Sequence, residues 1–256
     1  MSINSSKEFY STVEFDSWAN KKSLNPDEKY VIEKYLLDKG GKTLEAGTAG
    51  GRILLEMKNL GFTSLHGFDF VPEFIERARQ KDTSNSICFE VDDATSLNYQ
   101  DSCFDQVIYL QQIISTIDDE AGRVKALKEA YRILRAGGTG LFSFISFETR
   151  TGGVMYPWYR MYLYLVRKLL KSNRSTQYFP YLDSGGRLNY SSILLGSGPY
   201  LYRYKLREAY QALNEAGFTV VALGSREQIT QGIMYNSLEE MSGQPITGAI
   251  YFVCKK

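Results

Sequence analysis

Histidine is nearly absent from this chain of 256 residues: His66 is the only one. It falls inside an apolar-patterned stretch, 65–69, just before Gly67, so it points toward packing and a histidine base is not expected. Cysteine is scarce too. Cys88, Cys103 and Cys254 lie far apart with no C-x-x-C pair. That excludes a disulfide framework and suits a reducing compartment, with all three reading as small buried hydrophobes. Net charge is close to nil: 30 Lys and Arg against 29 Asp and Glu leave +1, so no global electrostatic case exists for nucleic acid. No clustered set of Asp, Glu and His marks a metal centre. No uncharged apolar run reaches spanning length, and residues 1–8 lack the apolar core of a signal peptide, so the expected location is cytoplasmic. What the chain does have is a hydrophobic fraction of 43% and 19 tyrosines. The first supplies a full core for one α/β domain with an insertion.

The organising stretch is 42–53. Thr43 and Leu44 read as a short buried strand ending at Glu45. Gly47 to Gly51 form a tight turn, and Arg52 begins a helical pattern. A strand that runs through glycines into a helix N-terminus is how an α/β sheet holds a nucleotide-like ligand. A phosphate loop would end in Gly-Lys-Ser/Thr, which is absent, and a dinucleotide fingerprint would read G-x-G-x-x-G. Here the small residues are Gly47, Ala49 and Gly51, with an acid two positions before the first glycine. The next strand, 65–69, ends in Asp69, an interval normal for one strand–helix–strand unit. An acid there can accept hydrogen bonds from both ribose hydroxyls.

Before this unit, Asn25, Pro26, Asp27 and Glu28 read as a helix start, and Gly40–Gly41 as its end. The aromatic arm ahead of it, 9–24, has no legible fold. It is expected to lie over the main domain, where Phe15 or Trp18 either helps to close a pocket or packs against a helix, the second being preferred. After Asp69 come a helix opened by Pro72, a strand over 86–91, a strand over 106–110, a long helix over 118–135 and a strand over 139–146. A helix over 204–216 and strands over 218–223 and 247–254 follow, the last two expected as an antiparallel edge.

Four separated motifs resemble class I S-adenosylmethionine (SAM)-dependent methyltransferases. They are the Glu45–Gly51 loop, Asp93-Ala94 followed by Leu97, Phe104-Asp105, and 129–138 (Glu-Ala-Tyr-Arg-Ile-Leu-Arg-Ala-Gly-Gly). Two departures stand out: Ala49 replaces the usual middle glycine, and Ala136 replaces a proline. The Ala216–Phe218 segment also resembles a late family motif. The resemblance implies a doubly wound, seven-stranded, mostly parallel α/β sheet with a helical, aromatic-rich insertion after strand five. It implies SAM as cofactor and S-adenosylhomocysteine as product. The implied cofactor residues are Glu45, Gly47, Thr48, Ala49 and Gly51 of the loop, Asp69 with Phe70 beside it, and Gln111 beyond strand four. Asp93 would accept from the adenine amino group and Ala94 would offer a backbone amide to a ring nitrogen. Asp92 reads as a solvated loop acid.

The expected division is a core with its arm over 1–147, a substrate cap over 148–203 and core completion over 204–256. In the cap, 156–171 is apolar around a whole helical wheel, broken by Arg160, Arg167, Lys168 and Lys171. Long connections in compact domains are usually lids or binding loops. An aromatic wall for a small apolar or aromatic acceptor is the leading reading, with a membrane-surface helix below it and a dimer interface also open. Glu148, Asp183 and the tyrosines of this region are base candidates, none of them distinguished, so no catalytic residue is assigned. Competing functions are a nicotinamide-dependent oxidoreductase, which leaves Asp93, Ala94 and Gly137-Gly138 unexplained, and a non-catalytic SAM-binding or membrane-associated protein.

Overall fold

The structure is a computed structural model that describes residues 3–151, 155–180, 194 and 199–256. One seven-stranded sheet carries the fold. Its strands are β1 (Thr43–Ala46), β2 (Leu65–Asp69), β3 (Ile87–Val91), β4 (Phe104–Tyr109), β5 (Leu134–Phe144), β8 (Thr219–Ser225) and β9 (Ile250–Lys255). Their order is β3-β2-β1-β4-β5-β9-β8. All neighbours are parallel except that β9 runs antiparallel to both β5 and β8, the expected antiparallel edge. Chain order reverses between β1 and β4, and a crevice at the carboxyl ends of such strands is where open α/β sheets bind ligands.

All four residues of β1 are buried, as a central parallel strand requires when helices cover both faces. One face packs Phe68, Tyr109, Phe142, Phe144 and Phe252 against α7 (Glu120–Ile133) and α9 (Leu206–Glu215). The other packs Ile108, Tyr251 and Val253 against α3 (Pro26–Tyr35), α4 (Arg52–Asn59) and α5 (Pro72–Lys81). Helix starts follow local chemistry. The Glu28 carboxylate accepts the Asn25 backbone N–H at 2.8 Å, and Asp119 caps α7 by accepting from the Gly122 N–H at 2.7 Å.

Several expectations change. The arm is folded, as α1 (Ile3–Thr12) and α2 (Phe15–Ala19). Helices this short draw their stability from docking, which local pattern does not reveal. Phe15 stacks on Phe74 of α5, with ring centroids 5.3 Å apart, the packing role preferred for it. Helix α7 stops at Ile133, and β5 begins directly at Leu134, which pairs with Phe104 before the register shifts at Gln106. The region after β5 is not purely helical. Besides α8 (Met155–Leu169), it forms an antiparallel pair, β6 (Tyr178–Pro180) with β7 (Tyr200–Tyr202). Three-residue strands are too short for any periodicity to show. Asp183, Tyr181 and Tyr190 lie outside the described residues.

Candidate functional site

The glycine turn has the geometry its sequence demands. Gly47, Ala49 and Gly51 all sit at positive φ (62°, 46° and 76°). At Gly47 a side chain would also run into Ile113, so only glycine fits there. Ala49 takes the left-handed conformation in the middle position. Its backbone N–H is held at 2.9 Å by Asp69 Oδ2. Asp69 Oδ1 accepts the Val71 N–H at 3.0 Å, so this carboxylate, 4% exposed, ties the turn to the end of β2. Gly51 lines neither the main pocket described below nor the small cavity beside it. It faces Phe89 and Ala78, where a Cβ would crowd the packing of α4.

A pocket of about 390 Å³ opens over the switch point. Gly47, Ala49, Asp69 and Phe70 form one wall, and Asp92, Asp93 and Ala94 form the next. Gln111 and Gln112 stand at the end of β4, both at positive φ (58° and 60°). Consecutive left-handed non-glycine residues are strained and concentrate at functional sites. The Gln112 N–H is fixed by Ser143 Oγ at 3.0 Å, whereas the buried Nε2 of Gln111 has no partner among the described residues. The far wall is apolar: Ile113, Ile117, Ile145 and Leu201, with Thr116 among them. These residues follow no motif and were not legible as a site. Asp118, Asp119 and Lys125 also line the pocket, although the sequence shows them only as part of a helix start. Tyr10 and Trp18 of the arm close the side, so the pocket role weighed for Trp18 holds.

Glu45 and Thr48 line a smaller adjoining cavity together with Trp18, Ala49, Arg52 and Gln111. Glu45 is 3% exposed, and its Oε2 accepts the Thr48 hydroxyl at 2.6 Å. Burial pushes its carboxyl up to about 8, outweighing the Thr48 hydrogen bond and the attraction of Arg52. The unfolded chain releases this proton near the ordinary value of 4.5 and the folded chain only near 8. Between those values the native state holds the extra proton, so this group makes stability fall as pH rises. Glu45→Gln is therefore expected to gain stability relative to the parent chain as pH moves from 5 to 8 in urea titrations. Identical pH slopes for the two proteins would show that Glu45 ionises normally.

Asp92 is not the solvated acid expected. It is half-buried, and its two oxygens accept from the Asn98 side chain and backbone, each at 3.0 Å, closing the 92–98 loop. Asp93 Oδ1 accepts from the Thr95 N–H and hydroxyl at 2.8 and 2.9 Å. Glu148 falls away as a base. It lies outside the pocket, accepting from the Leu206 N–H and the Ser146 hydroxyl. His66 stands edge-on to Phe104 at 5.5 Å, also outside the pocket, and burial lowers its basicity. From the region 148–203, Leu201 alone reaches the pocket among the described residues. Tyr178 and Tyr202 of this region, with Tyr204 just after it, instead border Arg123, which donates to the Ile117 and Asp118 carbonyls and to the Tyr178 hydroxyl, each at 3.1 Å, under the Tyr202 ring.

Residues 43–138 match the family model of a methyltransferase domain. A ubiquinone/menaquinone biosynthesis C-methyltransferase of Geobacter sp. (strain M21) is 30% identical over 140 residues, 52% of this chain and 57% of that protein. A demethylmenaquinone methyltransferase of Deinococcus radiodurans is 31% identical over 124 residues, 47% of this chain and 49% of that one. The chain thus spans about half the length of the curated relatives it matches. Among solved structures, a SAM-dependent methyltransferase from Methanosarcina mazei superposes with TM-score 0.64 at 20% identity, over 91% of this chain and 98% of that one. The [4+2]-cyclase SpnF superposes with TM-score 0.58 at 16% identity, over 90% and 79%. At such identities the likeness shows the fold.

Proposed function

We propose that this chain, a class I SAM-dependent methyltransferase by fold and by its matched domain, methylates a small, largely apolar acceptor. A hydroxylated quinone-type ring is the first class to test. The observation that carries this reading is the two-sided pocket: a polar wall built on the glycine turn faces an apolar wall of Ile113, Ile117, Ile145 and Leu201. The residues fit the cofactor. Gly47 and Ala49 line the pocket on a turn held at positive φ, and among the described residues the buried Nε2 of Gln111 has no partner.

Bound SAM would supply a methyl group on a sulfonium, already a good leaving group. The chain's part is to bind, orient and exclude water. Asp69 would accept from the ribose hydroxyls at the carboxyl end of β2. Asp93 and Ala94 would take the adenine edge, while Glu45, Thr48 and Gln111 would hold the amino-acid end. The apolar wall would present the acceptor to the methyl and keep the site dry. Asp118 and Asp119, whose contacts support helix α7 and the cap, are the carboxylates at that end of the pocket among the described residues. The quinone class enters from the names of the relatives. The region 148–203 would act as a cap, anchored through Arg123 and touching the acceptor through Leu201. A nicotinamide cofactor is not favoured, since the matched domain is a methyltransferase domain.

Calorimetry is expected to show SAM and S-adenosylhomocysteine binding at ~1–100 µM. Mass spectrometry of a hydroxylated quinol incubated with protein and SAM should show a product heavier by one CH₂. Heat with NAD but with neither SAM-family ligand would sink the cofactor reading. Turnover confined to polar acceptors would sink the acceptor class.

A further inference from the structure

Helix α8 is apolar all round, and such helices are normally covered. One face is covered here. Leu163 is fully buried, Tyr159 packs near Phe179, and the Arg160 guanidinium lies 4.4 Å from the centre of the Phe147 ring. The opposite face is exposed among the described residues, save that the Tyr162 hydroxyl donates to the Leu194 carbonyl at 2.6 Å. Trp158 (63% exposed), Met161, Tyr162, Leu165 and Leu169 (82%) form one stripe at i, i+3, i+4, i+7 and i+11. A contiguous exposed apolar stripe of this kind marks a contact surface.

Charge indicates what the surface meets. From 149 to 182 the sequence contains six cationic residues and no Asp or Glu. Three of the arginines are used internally. Arg160 lies on Phe147, Arg167 donates to the Ser175 and Tyr178 carbonyls at 2.6 Å, and Arg174 pairs with Asp118 at 2.7 Å. Lys168 and Lys171 remain exposed beside the stripe. Two copies meeting through this face would set cation against cation. An anionic surface with an apolar interior meets both its features, and Trp158 and Tyr162 are side chains suited to headgroup depth. No described helix is long and apolar enough to cross a membrane, so α8 would lie in the plane of the surface.

We propose that the outer face of α8 docks on anionic lipid membranes. The helix is joined to the pocket wall: Arg174 holds Asp118, which lines the pocket, and Arg167 holds the strand that pairs with Leu201. Docking therefore brings the apolar end of the pocket close to the bilayer. The inference stands on the exposed face and not on the cofactor reading.

The test is co-sedimentation of the full chain with phosphatidylglycerol/phosphatidylcholine vesicles and with phosphatidylcholine alone. The chain is expected to bind the anionic vesicles preferentially and to be released by salt. The triple change Trp158→Ser, Leu165→Ser, Leu169→Ser and the double change Lys168→Glu, Lys171→Glu should each weaken partitioning ~10-fold or more. Both variants should keep the circular dichroism and SAM affinity of the parent, because these residues lie outside the pocket. Brominated lipid should quench the parent's tryptophan fluorescence and lose that effect in Trp158→Phe, which reports without destabilising changes. Absent anionic binding, unaltered binding by the triple variant, or no Trp158-dependent quenching would overturn the proposal. So would a lipid-free dimer that the triple change converts to monomer, since a second copy would then cover the face. Loss of SAM binding beside intact vesicle binding would break only the cofactor reading.

Discussion

Glu28→Ala is expected to cost about 3–5 kcal/mol of folding stability, because it leaves a buried guanidinium without its counter-ion. Glu28 is wholly buried and Arg52 is 6% exposed. Their contact is bidentate, with Nη1 to Oε2 at 2.6 Å and Nη2 to Oε1 at 2.9 Å. The same carboxylate also accepts the Asn25 N–H. One side chain therefore starts α3 and neutralises the first residue of α4, the helix that leaves the glycine turn. Removing it leaves Arg52, 6% exposed, with the Ser23 carbonyl at 2.8 Å and no contacting carboxylate among the described residues. Removing both charges is a different matter: the pair Glu28→Leu with Arg52→Met is expected to recover much of the loss, since desolvation of both ions disappears together. Urea unfolding of the two singles and the double closes the cycle. A Glu28→Ala cost below about 1 kcal/mol would mean that the pair behaves like a solvent-exposed one.

That pair shows what a linear reading can and cannot see. Glu28 was legible as a first-turn acid and Arg52 as the residue after the turn, because both are local statements about helix starts. Their partnership spans 24 residues and depends on how α3 packs on the sheet, which no spacing encodes. The same division runs through the site. Glycine and acid positions were legible, since positive φ and strand-end acids leave a signature at fixed offsets: Gly47, Asp69 and Asp93 all line the pocket. Gly51 shares the signature but faces Phe89. Ile113, Ile117 and Ile145 carry no signature, since an isoleucine at a pocket wall looks like one in a core. The tyrosines after β5 were legible as an excess but not as a cage around Arg123, because three-residue strands and a helix must first bring them together.

Asp69→Ala should weaken SAM and S-adenosylhomocysteine binding by ~10–100-fold, the loss expected for charge-assisted hydrogen bonds of about 1.5–3 kcal/mol in a water-poor site. Two losses combine. On the proposed reading the carboxylate would accept from a ribose diol, and it also holds the Ala49 and Val71 N–H groups, so its removal loosens the turn. Asp92→Ala is expected to do less, since both Asp92 oxygens serve Asn98 and the loop around it. Asp93 and Ala94 would be left on a slacker loop, with the turn itself untouched. Calorimetry on the two variants, with circular dichroism to confirm folding, separates the roles. Thermal shifts give a second reading: ligand at a hundred times the parent Kd stabilises the parent by about 2.7 kcal/mol, and at the same concentration an Asp69→Ala chain weakened a hundredfold would keep only about 0.4 kcal/mol. Equal dissociation constants for the two variants would mean that the ribose acid is not Asp69. A larger loss for Asp92→Ala would place the dominant cofactor contact on the 92–98 loop instead of the β2 end.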